Sequence, residues 1–242
     1  FLKDLVLVNN LSLNEEKKDL DTKIQYKVLA RKYRPRTFED LIGQDSMVKI
    51  LSNAFSLNRI AHAFLFTGVR GVGKTTAARI VSRGLNCIKN DTPTISPCGE
   101  CNSCISAKND RHVDIIEIDA ASHTGVDDIR ELTEGVRYKP VEGRYKIYII
   151  DEVHMLSAQA FNALLKTLEE PPEHVKFIFC TTEIRKIPVT VLSRCQKFDL
   201  RRVAVSELIK LLKLICKKEK VSIDTNSLNL LARYSDGSVR DS

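Results

Sequence analysis

The sequence predicts an α/β protein built on a parallel sheet of five strands. Three observations carry that expectation. Five short β-rich runs, at 63–67, 113–119, 146–151, 176–182 and 196–200, alternate with stretches of helical spacing. The runs are almost continuously apolar, as strands covered on both faces must be. Between the first run and the helical stretch after it lies "GVRGVGKT" (68–75), the strand–loop–helix setting of a phosphate-binding loop.

Composition fits this class. The chain has 242 residues, 43% of them hydrophobic, enough for a real core. Its formal charge of +7 is compatible with a polyanionic partner and equally with an ordinary basic surface. No apolar run approaches the ~20 residues of a membrane span. The opening FLKDLVLV carries Lys3 and Asp4 and makes a poor signal peptide. The chain starts without Met and stops at Ser242 inside what reads as a starting helix, so it is expected to be part of a longer cytoplasmic protein. Thiols stay reduced there, and its seven cysteines need an explanation other than disulfides.

In chain order, residues 1–25 are polar and weakly patterned, an N-terminal arm. The strand AFLFT leads through the loop into a helix over 74–86. A cysteine-bearing insert occupies 87–104, and the second strand follows at 113–119. A helix over 126–138 precedes KIYIID, and a helix over 157–170 is stopped by Pro171 and Pro172. The last two strands close the sheet, and a domain boundary is expected near 203. Beyond it, 205–219 and 224–234 are amphipathic helices, and Ser238 can cap a third.

The chemistry concentrates in three places. In 68–75, glycines let backbone N–H groups wrap phosphates, and the helix N-terminus adds partial positive charge. The site takes in Gly68, Val69, Arg70, Gly71, Val72, Gly73, Lys74, Thr75 and Thr76. Lys74 supplies charge to the β- and γ-phosphates, and Thr75 offers a hydroxyl to Mg²⁺. "IYIIDEVH" (147–154) ends a strand in two carboxylates at the sheet edge where ligands sit. Asp151 is expected to hold the Mg²⁺ shell and Glu152 to polarise an attacking water, against the plainer reading of two solvated acids. Thr182 ends another strand with a hydroxyl for a γ-phosphate or that water. Finally, Cys98, Cys101 and Cys104, with Cys87 upstream, can close a tetrahedral Zn²⁺ site of structural type. An iron–sulfur cluster is the competing reading, though position 108 is Lys where a ferredoxin-type run has its fourth Cys. Incidental buried cysteines are the third. Cys180, Cys195 and Cys216 look like packing residues.

These residues together carry a resemblance. "VLARKYRPRTFEDLIGQD" (28–45), "HAFLFTGVRGVGKTTAARI" (62–80), the cysteine insert, "IEIDAAS" (116–122), "IDEVHMLSAQAFNALLKTLEEPPEHVKFI" (150–178), "LSRC" (192–195) and "GSVRD" (237–241) resemble the gamma/tau ATPase family of bacterial DNA polymerase III clamp loaders. The resemblance implies an AAA+ module over 26–203, with strand order 5-1-4-3-2 and the start of a helical lid over 204–242. It makes Thr182, with Thr181 as fallback, the sensor of the γ-phosphate and Arg240 the lid's own phosphate sensor. It places "KYRP" (32–35) beside the adenine. Arg194, which has no obvious local role, would reach the ATP of the next subunit in trans, where an always-charged guanidinium can fork onto phosphate oxygens. Thr124 and Arg130 become candidates for contact with the DNA backbone, although Asp127 and Asp128 beside them favour ordinary capping. The implied partners are the other loader subunits in a ring, a sliding clamp and primed DNA, with polymerase and helicase bound through further regions. ATP, Mg²⁺ and Zn²⁺ are the implied ligands.

Three other classes compete. A helicase-like motor is suggested by "DEVH" (151–154). A non-catalytic scaffold would usually lose Lys74 or the acidic pair, which are present. A zinc-dependent DNA-binding protein would bind DNA without regard to nucleotide.

Overall fold

A computed structural model describes residues 28–122 and 125–242. The chain divides into two compact units, Phe1–Tyr33 and Arg34–Ser242. The expected arm, 1–25, and Thr124 lie outside the described residues. Of the first unit, the model describes a single helical turn, α1 (Leu29–Lys32), with the Lys32 ammonium 5.5 Å from the centre of the Tyr33 ring.

The second unit contains the sheet. In chain order it runs α2 (Asp45–Ser56), β1 (Ala63–Thr67), α3 (Lys74–Asn86), α4 (Asn102–Lys108), β2 (Ile115–Asp119), α5 (Val126–Gly135), β3 (Lys146–Asp151), α6 (Ala158–Glu169), β4 (Val175–Thr181), α7 (Val189–Leu192), β5 (Gln196–Asp199), α8 (Val205–Glu219) and α9 (Thr225–Tyr234). Short 3₁₀ turns lie at Val153–Met155 and Ile184–Lys186. All strand pairs are parallel, in the order β2-β3-β4-β1-β5, which is the expected 5-1-4-3-2 order read from the other edge.

The alternation of side chains along each strand builds two cores. Phe64, Phe66, Ile147, Ile149, Ile178 and Cys180 face α2 and α3. Leu65, Tyr148, Ile150, Phe177 and Phe179 face α5 and α6, meeting Ile129, Leu132, Phe161 and Leu164. Every residue of β1 and β4 is buried, which is why those runs read as continuously apolar. A third, smaller core joins Leu208 and Leu212 of α8 to Leu228 and Ala232 of α9 and to Val203.

Differences from expectation are local. α5 stops at Gly135, three residues early; the chain goes on in tighter turns, with Arg137 N and Tyr138 N donating to the Glu134 and Gly135 carbonyls at 3.3 Å each, and the Lys146 ammonium also donates to the Gly135 carbonyl at 2.8 Å. β2 begins at Ile115, because Asp114 serves a different purpose. The Asp114 carboxylate accepts the backbone N–H groups of Val141, Glu142 and Gly143, each at 2.7 Å. After Ser235 the chain forms turns; Ser238 Oγ accepts from Asp241 N at 3.3 Å, the geometry of an N-cap.

Candidate nucleotide and metal sites

The phosphate loop connects β1 to α3. Gly68, Gly71 and Gly73 hold φ of 140°, 78° and 105°, a region that side chains rarely adopt. At Gly71 glycine is needed for a second reason. A Cβ there would stand 1.9 Å from Ser238 Oγ and 3.1 Å from Arg240 Cβ. The Gly71 carbonyl accepts from the backbone N–H groups of Val239 and Arg240, at 3.0 and 3.3 Å. Arg240 therefore sits against the loop. Val72 is buried in the core, while Val69 and Arg70 are exposed. Gly73 caps α3 without a side chain, and the first turn, with Thr75 and Thr76, holds no acidic residue of its own. Lys74 curls onto the loop, its ammonium donating to the carbonyls of Gly68 and Val69 at 3.0 Å each. Burial draws its pKa below the usual lysine value, against the pull of Glu152 and Asp151.

The acidic pair stands at the C-terminal end of β3, beside that loop. Thr75 Oγ1 donates to Asp151 Oδ2 at 2.7 Å. Burial raises the Asp151 pKa, partly offset by the Thr75 hydrogen bond. Glu152 adopts a left-handed backbone, φ 46°, an uncommon conformation for a residue with a side chain. Its Oε2 accepts from Thr182 N and Thr182 Oγ1, at 3.2 and 3.0 Å. Of the two candidate threonines, Thr182 is the partly exposed one; Thr181 is fully buried, its Oγ1 accepting from Glu183 N at 3.0 Å. Lys74, Thr75, Asp151, Glu152 and Thr182 therefore meet at one edge. They are far apart in sequence, and the sheet brings them level. The parallel register sets Phe66 of β1 opposite Cys180 of β4, and Ile150 of β3 opposite Phe179 of β4.

Arg194 belongs to none of this. It follows α7, and its guanidinium donates to Glu169 Oε1 and to the Thr190 carbonyl, both at 2.6 Å. Arg130 pairs with Asp127 at 3.1 Å on the exposed side of α5. Lys32 and Tyr33 of "KYRP" belong to the first unit, and Arg34 and Pro35 to the second.

The four cysteines converge. The Sγ atoms of Cys87, Cys98, Cys101 and Cys104 all lie within 4.8 Å of one another, and Cys98 Sγ is 3.9 Å from Cys104 Sγ. A tetrahedron with Zn–S bonds of about 2.3 Å has S···S edges of about 3.8 Å, so the set fits that ion. Cys98 Sγ accepts from Glu100 N and Cys101 N, at 3.5 and 3.3 Å, and these bonds lower its pKa to about 6. Burial pushes the Cys104 thiol up. Two groups that the sequence does not single out tie the insert, and the chain that follows it, to α3 and β2. Ser103 Oγ donates to Asn86 O at 2.7 Å and lies 2.9 Å from His112 Nε2. Arg79 forks onto both oxygens of Glu117 at 2.8 Å and pairs with Asp110 at 3.0 Å. The only signal of the second is an arginine one helical turn past Thr75 and an acid inside an edge strand.

A parallel sheet of this order, with a phosphate loop after β1, between β4 and β5, and two acids at the end of β3, defines the AAA+ class of P-loop modules. The fold likeness extends to the Thermotoga maritima RuvB Holliday junction branch migration motor, with a TM-score of 0.62, 20% identity, and coverage of 86% of this chain and 62% of that one. The family model described as "DNA polymerase III, delta subunit" matches residues 43–204, more than half of the chain. The chain is 53% identical to DNA polymerase III subunit tau of Escherichia coli and 47% identical to that of Bacillus subtilis. It is 47% identical to DNA polymerase III subunit gamma of Buchnera aphidicola. Each match covers 90% of this chain, but only 34%, 38% and 58% of the respective relative. The chain belongs to the gamma/tau family of DNA polymerase III subunits.

Proposed function

We propose that the chain is the ATP-hydrolysing part of a clamp-loader subunit, in which ATP binding and hydrolysis drive the opening of a sliding clamp and its loading on primed DNA. One observation carries the reading: Lys74, Thr75, Asp151, Glu152 and Thr182 gather at a single sheet edge beside an uncapped helix N-terminus. In this proposal the N–H groups of 68–76 and the Lys74 ammonium bind the phosphates, Lys74 exchanging loop carbonyls for phosphate oxygens. Thr75 and Asp151, already a hydrogen-bonded pair, would hold Mg²⁺, which when bound offsets phosphate charge. Glu152 orients the attacking water and takes its proton. Thr182 leaves Glu152 to meet the γ-phosphate, and Arg240 reaches the same group from the turn packed on Gly71. Cys87, Cys98, Cys101 and Cys104 would hold Zn²⁺, which ties the insert together and leaves no open coordination position.

The same proposal assigns 26–203 to the nucleotide-binding domain and 204–242 to the start of a lid. Thr124 and Arg130 remain candidates for DNA contact. The other loader subunits, clamp, primed DNA, polymerase and helicase are the proposed partners, and the cytoplasm is the proposed compartment. Among the described residues no helix is long and apolar enough to cross a membrane.

Arg194 provides the test. Its guanidinium is bonded to Glu169 and Thr190 and not to its own chain's loop residues, which is compatible with a role toward a neighbour's ATP. ATP turnover by the full-length protein in a reconstituted loader, with clamp and primed DNA, is compared for wild type and Arg194→Ala, with ATP binding measured in parallel. Loss of stimulated turnover with normal binding is expected, on the order of 10³-fold. Unchanged turnover would make Arg194 a structural partner of Glu169 and refute the trans role.

A further inference from the structure

His154 follows the acidic pair in "DEVH", yet the proposed chemistry leaves it without a task. Its side chain is only 6% exposed, and its ring is surrounded by oxygen. Nδ1 lies 3.0 Å from Thr181 Oγ1 and 3.4 Å from Glu152 Oε2. Nε2 lies 3.5 Å from Glu183 Oε1. The two nitrogens thus span from the carboxylate that ends β3 to the segment that leaves β4. Glu183 is tied to the same group, since its N–H donates to Thr181 Oγ1 at 3.0 Å, and its half-exposed carboxylate pairs with Lys186 at 3.0 Å.

We infer that His154 is a positioning residue for Glu152, braced from behind by Glu183. The inference rests on the proposed role of Glu152 in hydrolysis. Three observations support it together. The backbone of Glu152 is left-handed, a conformation that persists only where neighbours over-determine it. The hydrogen bonds from Thr182 and the His154 contact all converge on Oε2, and Oε1 takes none of them. Thr182 is also the residue assigned to the γ-phosphate, so when its hydroxyl turns to a nucleotide Glu152 Oε2 keeps only the Thr182 N–H and the His154 ring. His154 is then the group that keeps the carboxylate from following Thr182 or rotating out of line.

The geometry separates the two sides of the ring. Asparagine places an amide near the Nδ1 position, and glutamine places one near Nε2. The test uses the full-length subunit in the assembled complex with clamp and primed DNA, measuring turnover at saturating ATP alongside the affinity for a fluorescent ATP analogue. His154→Ala should lower kcat by about 10- to 100-fold and leave nucleotide affinity within about twofold. His154→Asn should restore kcat to within about threefold of wild type, whereas His154→Gln should stay near the alanine value. In a Glu152→Gln background, His154→Ala should cost less than about threefold more, because the group it positions is already disabled.

A normal kcat for His154→Ala, or an undiminished loss in the Glu152→Gln background, overturns the positioning role. Equal behaviour of the Asn and Gln variants does so as well, and that pair decides the matter if the alanine variant does not fold. Normal turnover by Glu152→Gln alone would instead remove the reading of the site, and this inference with it.

Discussion

The two ends of α3 are built on opposite principles. At its N-terminus, Gly73 supplies no side-chain cap and Lys74 rests on carbonyls of its own loop. At its C-terminus everything is closed. Asn86 exchanges two hydrogen bonds with Tyr145, both at 2.9 Å, and Arg144 donates to Cys87 O at 2.7 Å. The chain at Thr94 crosses so near Gly84 that a Cβ there would stand 2.3 Å from the Thr94 carbonyl. The difference teaches where to look for a ligand that comes and goes: the end whose polar groups have only provisional partners. The four-thiol end, by contrast, suits an ion that stays.

The largest expected effect tests whether those ends are separate. Structural Zn²⁺ contributes about 10–16 kcal/mol in small zinc-binding peptides, so stripping metal with a chelator, or Cys101→Ser, should unfold the insert. Hydrogen exchange should show 88–104 losing protection while β1, β3 and β4 keep theirs, and ATP affinity should fall less than about tenfold. Loss of all nucleotide binding would mean that α3 transmits the state of one end to the other.

Asp114→Asn strikes the closed end from below. The turn at 141–143 leads into Arg144 and Tyr145, which hold the end of α3. An amide leaves at least one part-buried N–H facing a donor, at a cost of about 2 kcal/mol, or roughly 6 °C in Tm. The pH dependence gives a second readout. Burial works to raise the Asp114 pKa, but the three N–H bonds prevail and hold it below the usual 3.8. Its contribution is therefore complete above pH ~4 and lost as pH falls through the lower folded value. Thermal melts should show the gap between wild type and variant closing below that pH. A constant gap would mean that the lost contribution is not that of the ionised carboxylate.

Much of this was legible in the sequence, for reasons that particular residues make clear. The β1 and β4 runs and the glycine loop are contiguous, and contiguity is what pattern reading detects. α3 has its expected bounds because Gly73 and Cys87 bracket an unbroken helical period. α2 escapes the pattern although Met47, Leu51 and Phe55 repeat every four residues, because Ser46, Ser52, Asn53 and Ser56 dilute its propensity. α4 starts on Cys101, whose Sγ accepts from Cys104 N, so it depends on the cluster rather than on a local period. The four cysteines were readable as a set, but the tasks of His154, Glu183 and Glu169 were not. Their partners are fixed by neighbouring strands and helices, and for His154 and Glu183 it is the parallel register of β3 on β4 that brings them together.

The smallest effect asks whether the closed end is also optimised. Lys176 in β4 is 4% exposed, with its ammonium 3.4 Å from Ile60 O and 5.1 Å above the Tyr145 ring. Burial lowers its pKa to about 8. Lys176→Met removes that burial cost, about 3 kcal/mol, but also a cation–π contact worth about 1 kcal/mol and the ammonium's bond to Ile60 O, worth about 1.5 kcal/mol, so most of the gain is offset. At pH 7 the variant should gain less than about 1 kcal/mol, with Tm up by about 2 °C. Between pH 8 and 10.5 the unfolded lysine keeps a proton that the folded one has released, so wild-type stability rises with pH there and the advantage of Met shrinks. Melts at pH 7 and about pH 9.5 measure this directly. An advantage that does not change with pH would mean that Lys176 titrates in the folded protein as it does in the unfolded chain, and that the closed end tolerates the charge through Tyr145 and Ile60 alone.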